Sequence, residues 1–214
     1  MSKIPKKLHQ IWIGDKEAPE WCVQFGKKMQ EMHPDWEYTL WTHDMIFNDV
    51  YKDDIFLQSY EKSPEIYKWA FISDRIRLLI LRDYGGIYCD LDAKPIRSFD
   101  VILDQLSDQR TFFAGMKWSS TVRTLIDCTV YGSTPNSRII NACLAEYKDL
   151  TWAHGCQVFN DLIVKEFGLD VALFNYRAFY DTKIGPETIV LHDVPETRLY
   201  SWVDPSTNLK NPNF

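Results

Sequence analysis

Nowhere in the 214-residue chain does an apolar run approach the roughly 20 residues that crossing a bilayer requires. The start, "MSKIPKKLHQIWIG", is basic, but its apolar part is too short and too polar for a signal peptide. Paired cysteines are missing as well. Cys22, Cys89, Cys128, Cys143 and Cys156 are odd in number and scattered, with no CxxC, which argues against a zinc site or a disulfide frame and fits reduced thiols. Positive charge is in short supply: 24 Lys and Arg stand against 30 Asp and Glu, a formal net charge of -6. A deficit of that sign disfavours nucleic acid and anionic membrane as general partners, although a local basic pocket for phosphate stays open. There is no internal repeat, low-complexity tract or linker. The expectation is a cytoplasmic α/β chain forming a single domain over 1–214, without a membrane span, with room for a real core.

What the chain has in quantity is aromatic side chains, 14% of its residues. They suit a dense core first, and stacking against bases or sugars second. "KKLHQIWIG" reads as a buried first strand ending in Gly, "APEWCVQFGKKMQEMHP" as a helix between Pro19 and Pro34, and "WEYTLW" as a second strand. That order predicts a mostly parallel, Rossmann-like sheet flanked by helices. "SPEIYKWAFISDRIRLLILRDYGG" reads as the clearest helix, with Ser63 as N-cap, Pro64 and Glu65 in its first turn, and Gly85–Gly86 as its stop. "TFFAGMKW" and "VRTLIDCTVYG" read as strands, "NSRIINACLAEYKDL" and "GCQVFNDLIVKEFG" as helices, and the chain from about Asp181 onward as irregular.

Arranged at about 100° per residue, the long helix has one apolar stripe of Trp69, Ile72, Ile76, Leu79 and Ile80 and a second of Phe71 and Leu78. Arg75 and Arg82 are placed beside the second, facing solvent. Ala70, Ser73, Asp74 and Arg77 fall between the two apolar regions. Asp74 and Arg77, three residues apart, can pair on one face. Two readings stay open: a buried ion pair tying the helix to its neighbours, or the polar lining of a cleft that meets a phosphate or a sugar hydroxyl.

After the Gly–Gly turn comes "IYCDLDAKP". Strand alternation puts Tyr88, Asp90 and Asp92 on one face and Ile87, Cys89 and Leu91 on the core face. Two carboxylates so placed can serve one hard divalent cation, Mn²⁺ or Mg²⁺, beyond the carboxyl end of a strand in an open α/β sheet. A lone DxD is weak on its own, and the acidic end of an ordinary strand is the bland reading. The preceding capped helix, polar stripe and Gly–Gly turn favour the metal. Such a metal would assist departure of a phosphate leaving group.

Together, "IPKKLHQIWIG" and "SDRIRLLILRDYGGIYCDLDAKP" resemble the DxD-containing glycosyltransferases of family 32, which include yeast-type initiating mannosyltransferases and bacterial capsule or lipooligosaccharide enzymes. A more distant likeness runs to the large glucosylating bacterial toxins. The resemblance covers roughly residues 4 to 100; "TVYGSTPNSRIINACLAEY" continues it more weakly. It implies a GT-A fold, a nucleotide-sugar donor bound by about the first 100 residues, and a glycan or other acceptor met by residues 101–214. It also implies Mn²⁺ or Mg²⁺ and transfer with retention. Carried over by position, Ile11 and Trp12 would hold the nucleobase, Trp12 by stacking. Ser73, Asp74 and Arg77 would contact ribose and donor sugar, and Tyr88 would lie beside the diphosphate. Asp90 would reach the sugar or ribose and help the metal, and Asp92 would be its direct ligand. Asp90, Asp74 and Arg77 are thus the catalytic candidates. The family often closes over diphosphate and metal with a His-containing stretch followed closely by Ser-Trp. "VLHDVPETRLYSW" supplies His192 and Trp202 with a wider gap. His9, His33, His43 and His154 have no companion pattern and read as structural.

Rival readings are a haloacid dehalogenase-type phosphatase, whose nucleophilic Asp stands near the chain start, and a non-catalytic sugar-binding scaffold. The expected function is hexose transfer, as in polysaccharide biosynthesis, with a UDP-hexose preferred and GDP-mannose the alternative, to a soluble or peripherally presented acceptor.

Overall fold

The structure is a computed structural model that describes residues 3–14, 16–62, 68–117, 125–146, 168, 170–179 and 183–192. At its centre is β1 (Lys7–Trp12), in which four consecutive residues are buried. Leu8 and Ile11 serve the two apolar clusters on opposite faces of the sheet. His9 and Gln10 between them are buried too, as befits a strand covered on both sides. Helix α1 (Glu20–Glu31) starts behind Pro19 and turns Cys22, Gly26 and Met29 inward at helical spacing. It returns the chain to β2 (Glu37–Thr42), which pairs in parallel with β1 from Lys7↔Glu37 to Trp12↔Thr42. A π-helical turn (Met45–Val50) and α2 (Ile55–Glu61), capped by the Asp54 side chain on Leu57 N at 3.0 Å, lead toward the long helix.

Helix α3 (Lys68–Tyr84) buries eight of its residues. Its expected start at Ser63, Pro64 and Glu65 lies outside the described residues. Its end is set by Gly85, at φ 62°, whose N–H closes on Leu81 O at 3.0 Å. A Cβ at Gly85 would stand 2.6 Å from Pro135, and one at Gly86 (φ 97°) would stand 2.5 Å from Lys7 O. Only glycine meets both the conformation and the closeness.

Strand β3 (Gly86–Cys89) follows, parallel to β1. Then come β4 (Lys94–Pro95), α4 (Asp100–Gln105), β5 (Phe112–Lys117), β6 (Leu125–Ser133), α5 (Arg138–Glu146), β7 (Val171–Phe174), α6 (Tyr176–Phe179) and β8 (Val190–Leu191). The six-stranded sheet has the order β2-β1-β3-β6-β5-β7. Within it β6 runs against its neighbours β3 and β5, while β2, β1 and β3, and likewise β5 and β7, pair in parallel. The mostly parallel sheet read from the sequence is therefore correct. One apolar cluster joins α3, α5 and the sheet through Ile11, Ile72, Ile76 and Ile140; the other fills the α1 and α4 side around Met29, Phe99 and Phe113.

Two expectations change. The tract after residue 181 is not wholly irregular, because β8 pairs antiparallel with β4, Lys94↔Leu191 and Pro95↔Val190. Arg75 does not face open solvent: it pairs with Asp54 at 3.0 Å and lies 4.6 Å over the Phe56 ring. Helix α2 packs on that face of α3, which a wheel of α3 alone does not show. The second helix of the C-terminal half, "GCQVFNDLIVKEFG", and His154 lie outside the described residues.

Candidate metal centre

The order of the sheet reverses at β1, which has β2 on one side and β3 on the other, so the carboxyl ends of β1 and β3 flank a switch point. Ligands of open α/β sheets bind at such a crevice. Trp12 ends β1 there, and Asp90 follows β3 there.

The acidic residues reach the crevice by a turn rather than by strand alternation. Strand β3 ends at Cys89 and all four of its residues are buried, so neither face was open for carboxylates. Asp90 N still donates to Thr129 O of β6 at 2.9 Å, and Ala93 N donates back to Asp90 O at 3.1 Å. That turn buries Leu91 beneath it and turns Asp90 and Asp92 to one side. The β4–β8 pairing then brings His192 to the same place. His192 Nε2 stands 3.5 Å from Asp92 Oδ1, and one ligand atom from each of Asp90, Asp92 and His192 lies within 4.8 Å of the others.

Two oxygen donors and one imidazole suit a divalent cation of the Mn²⁺ type, and Mg²⁺ less well because imidazole is a softer donor. The electrostatics agree. Burial, with the neighbouring Asp92 charge, pushes the Asp90 carboxyl up to about 6 against the pull of Arg77. Crowded carboxylates of this kind are relieved by a cation. The residues present fit the metal.

Behind the acids lies a buried polar network. Tyr88, 2% exposed, donates its hydroxyl to Asp90 Oδ1 at 2.5 Å, and its ring lies 4.8 Å under the Arg77 guanidinium. Arg77, 7% exposed, pairs with Asp74 Oδ1 at 2.8 Å and faces Asp90 Oδ1 at 3.7 Å. It also donates to Ser73 O at 3.2 Å and Cys128 O at 2.7 Å. Burial raises the Asp74 carboxyl, while Arg77 lowers it. Of the two readings of the α3 polar stripe, the ion pair between Asp74 and Arg77 is present, and Arg77 also reaches to 3.7 Å from Asp90 of the acidic turn. Tyr88 sits inside this network and supports Asp90 from below.

The remaining expected site residues are placed as follows. Ser73 donates to Trp69 O within α3 at 2.8 Å. Ile11 is a core residue, 6% exposed. Trp12 is half-buried, with its indole N–H held by Lys16 O at 2.7 Å, so its position at the crevice is fixed from one edge. Trp202 lies outside the described residues. His9 and His33 are buried and hydrogen-bonded, and His43 pairs with Glu61 at 3.0 Å. Sequence reasoning missed Gln10, Tyr38 and Cys128, whose parts are played through one side-chain amide, one buried hydroxyl and one main-chain carbonyl.

Known proteins share both the motif and the architecture. Residues 19–112 match the family described as the glycosyltransferase sugar-binding region containing DXD motif. Inositol phosphoceramide mannosyltransferase 3 of Schizosaccharomyces pombe is 40% identical over 101 residues, 47% of this chain and 27% of that protein. Mannosyl phosphorylinositol ceramide synthase SUR1 of Saccharomyces cerevisiae is 35% identical over 102 residues, 47% of this chain and 25% of that protein. The match spans about a quarter of the length of these curated relatives. Among solved structures, PaToxG glycosyltransferase superposes with a TM-score of 0.58 at 22% identity, over 77% of this chain and 70% of that one. The resemblance carried by the two motifs is borne out, and the fold is of the GT-A glycosyltransferase kind.

Proposed function

We propose that the protein is a metal-dependent glycosyltransferase that moves a hexose from a nucleotide sugar to a glycan or other acceptor. The observation that carries this reading is the convergence of Asp90, Asp92 and His192 at the exit of β3, backed by Arg77 and Tyr88. Asp90, Asp92 and His192 would hold Mn²⁺ or Mg²⁺, which when bound neutralises the charge gathering on a diphosphate leaving group.

The chain's own groups do the rest. In the transfer, the bond from the anomeric carbon to the diphosphate oxygen breaks, with its electron pair leaving on the nucleoside diphosphate. The acceptor hydroxyl forms the new bond to the anomeric carbon and gives its proton to the departing diphosphate. Trp12 offers a ring face to the nucleobase at the end of β1. Arg77 holds Oδ1 of Asp74, which orients Oδ2 to accept from a sugar hydroxyl. Arg77 also adds a fixed positive charge beneath the site, held by a guanidinium fork that does not swing away. Tyr88 holds one oxygen of Asp90 and so aims the other.

The names of the curated relatives favour a mannosyl donor over the UDP-hexose expected from the sequence. Transfer with retention and a cytoplasmic location belong to the same proposal. Among the described residues, no helix is long and apolar enough to cross a membrane.

The test is nucleotide release in Mn²⁺ across UDP-, GDP- and CMP-sugars, with and without EDTA. Release from one donor, abolished by EDTA, supports the reading and names the sugar. Phosphate release from a phosphomonoester instead would establish a phosphatase. No release, together with no donor-induced thermal stabilisation by any member of the panel, would count against the transferase reading.

A further inference from the structure

Gln10 lies near the middle of β1 and is completely buried, which is costly for a primary amide unless both its ends are matched. Both are. Its Oε1 accepts from the Tyr38 hydroxyl of β2 at 2.9 Å, and its Nε2 donates to the main-chain carbonyl of Asp90 at 3.3 Å. Burial raises the Tyr38 hydroxyl to about 12, so it stays a donor throughout the ordinary pH range.

Helix α1 packs onto this bridge where it has no side chain. A Cβ at Gly26 would lie 3.1 Å from the Tyr38 hydroxyl, 3.2 Å from Leu91 Cδ1 and 3.3 Å from Gln10 Oε1. Leu91 is the residue between the two acids. The same contact therefore joins the bridge to the turn from below.

The bonded carbonyl matters. Asp90 O also accepts from Ala93 N, the bond that closes the turn. Holding that peptide plane restrains the turn from which the Asp90 and Asp92 carboxylates both project. Gln10 is fully buried and meets the turn through the hydrogen bond to the Asp90 main-chain carbonyl.

We propose that Gln10, braced by Tyr38, is a positioning residue that sets the spacing of the Asp90–Asp92 carboxylates for a divalent cation. This rests on the metal-site reading above. A buried amide kept only for the core would serve the fold and leave cation affinity untouched, which is the distinction the experiment reads.

The experiment measures Mn²⁺ affinity by electron paramagnetic resonance of unbound Mn²⁺, on the purified chain and on Gln10→Met, Tyr38→Phe and the double variant. Circular dichroism and thermal melts on the same samples report the fold. Gln10→Met keeps the length of the side chain and removes both hydrogen bonds. It is expected to weaken Mn²⁺ binding by about tenfold with an unchanged spectrum, as loss of outer-shell support typically does. Tyr38→Phe is expected to weaken binding by a smaller factor, and the double variant to match Gln10→Met, because the hydroxyl acts only through the amide. Wild-type Mn²⁺ affinity in the folded single variants, with a lowered melting temperature, would overturn the proposal. Should Gln10→Met fail to fold, Tyr38→Phe decides by the same criterion. No Mn²⁺ uptake by the unaltered chain would overturn the metal-site reading itself, and the proposal with it.

Discussion

The Tyr88 hydroxyl donates to Asp90 Oδ1 at 2.5 Å while its ring lies 4.8 Å from the Arg77 guanidinium, so one buried phenol contacts an anion and a cation by different parts of itself. Tyr88→Phe keeps the face for Arg77 and removes the donor for Asp90. Nucleotide release should fall by about 10- to 100-fold in this variant, with the Mn²⁺ requirement raised, because an outer-shell partner of a metal ligand is lost. A titration of release against Mn²⁺ concentration checks it; an unchanged midpoint would leave the hydroxyl a packing feature.

Asp92→Ala should abolish metal-dependent release. Asp92 is 15% exposed at the rim of the turn, and its loss leaves the β3–β6 hydrogen bond at Asp90 N in place, so the thermal melt should hardly move. Turnover near that of the unaltered chain would remove Asp92 from the metal site.

Arg77→Met should cost the fold about 3–5 kcal/mol, the usual result of removing one member of a buried charge pair and leaving the other. Asp74 would lose its ion-pair partner, and Cys128 O and Ser73 O would lose the guanidinium donor. Urea unfolding measures this. A change below about 1 kcal/mol would mean that water replaces the guanidinium, a surface-like outcome.

Acidification should weaken the fold through His9. Its Nε2 donates to Gly85 O at 2.9 Å and its Nδ1 accepts from Trp41 at 3.2 Å, so the neutral ring is fully matched. Burial lowers its pKa from 6.5 to about 4. The unfolded chain therefore binds the proton more readily between those values. The His9 contribution is complete above about pH 6.5, declines as pH falls, and is gone by about pH 4. His33, also lowered by burial, adds in the same direction. Melting temperatures between pH 7 and pH 4 should fall more steeply in the unaltered chain than in His9→Gln; parallel curves would refute the assignment.

Trp12→Ala should weaken nucleotide-sugar affinity by about 1–3 kcal/mol if the ring stacks on a base. Isothermal titration with the donor found in the release assay reads this, and an unchanged affinity would return Trp12 to a packing role.

The sequence told most where one periodic element carried the information. The stripe of Ser73, Asp74 and Arg77 emerged from α3 alone because several turns of helix define a face. The same wheel misplaced Arg75, since the helix that covers it is a separate segment brought in by Asp54. Alternation misdescribed β3 because a central strand buries both faces and leaves no outward side for carboxylates. His192 could be suspected only from a family habit, as strands of two residues give no periodic signal. Gln10 was invisible for a related reason: within "LHQIW" a buried amide looks like any polar residue in an alternating strand, and its partners are 28 and 80 residues away in sequence.

The pairing of β4 with β8 gives the site a place in time as well as in space. Asp92 and His192 are separated by about 100 residues of chain, and the entropy of closing so long a loop must be met before the third ligand arrives. During synthesis from the N-terminus, both carboxylates and the whole of β3 precede His192 by about 100 residues. A cation held by Asp90, Asp92 and His192 would therefore tie together two positions about 100 residues apart in the chain. Mn²⁺ binding, measured during refolding, is expected to appear only with formation of the β4–β8 pair.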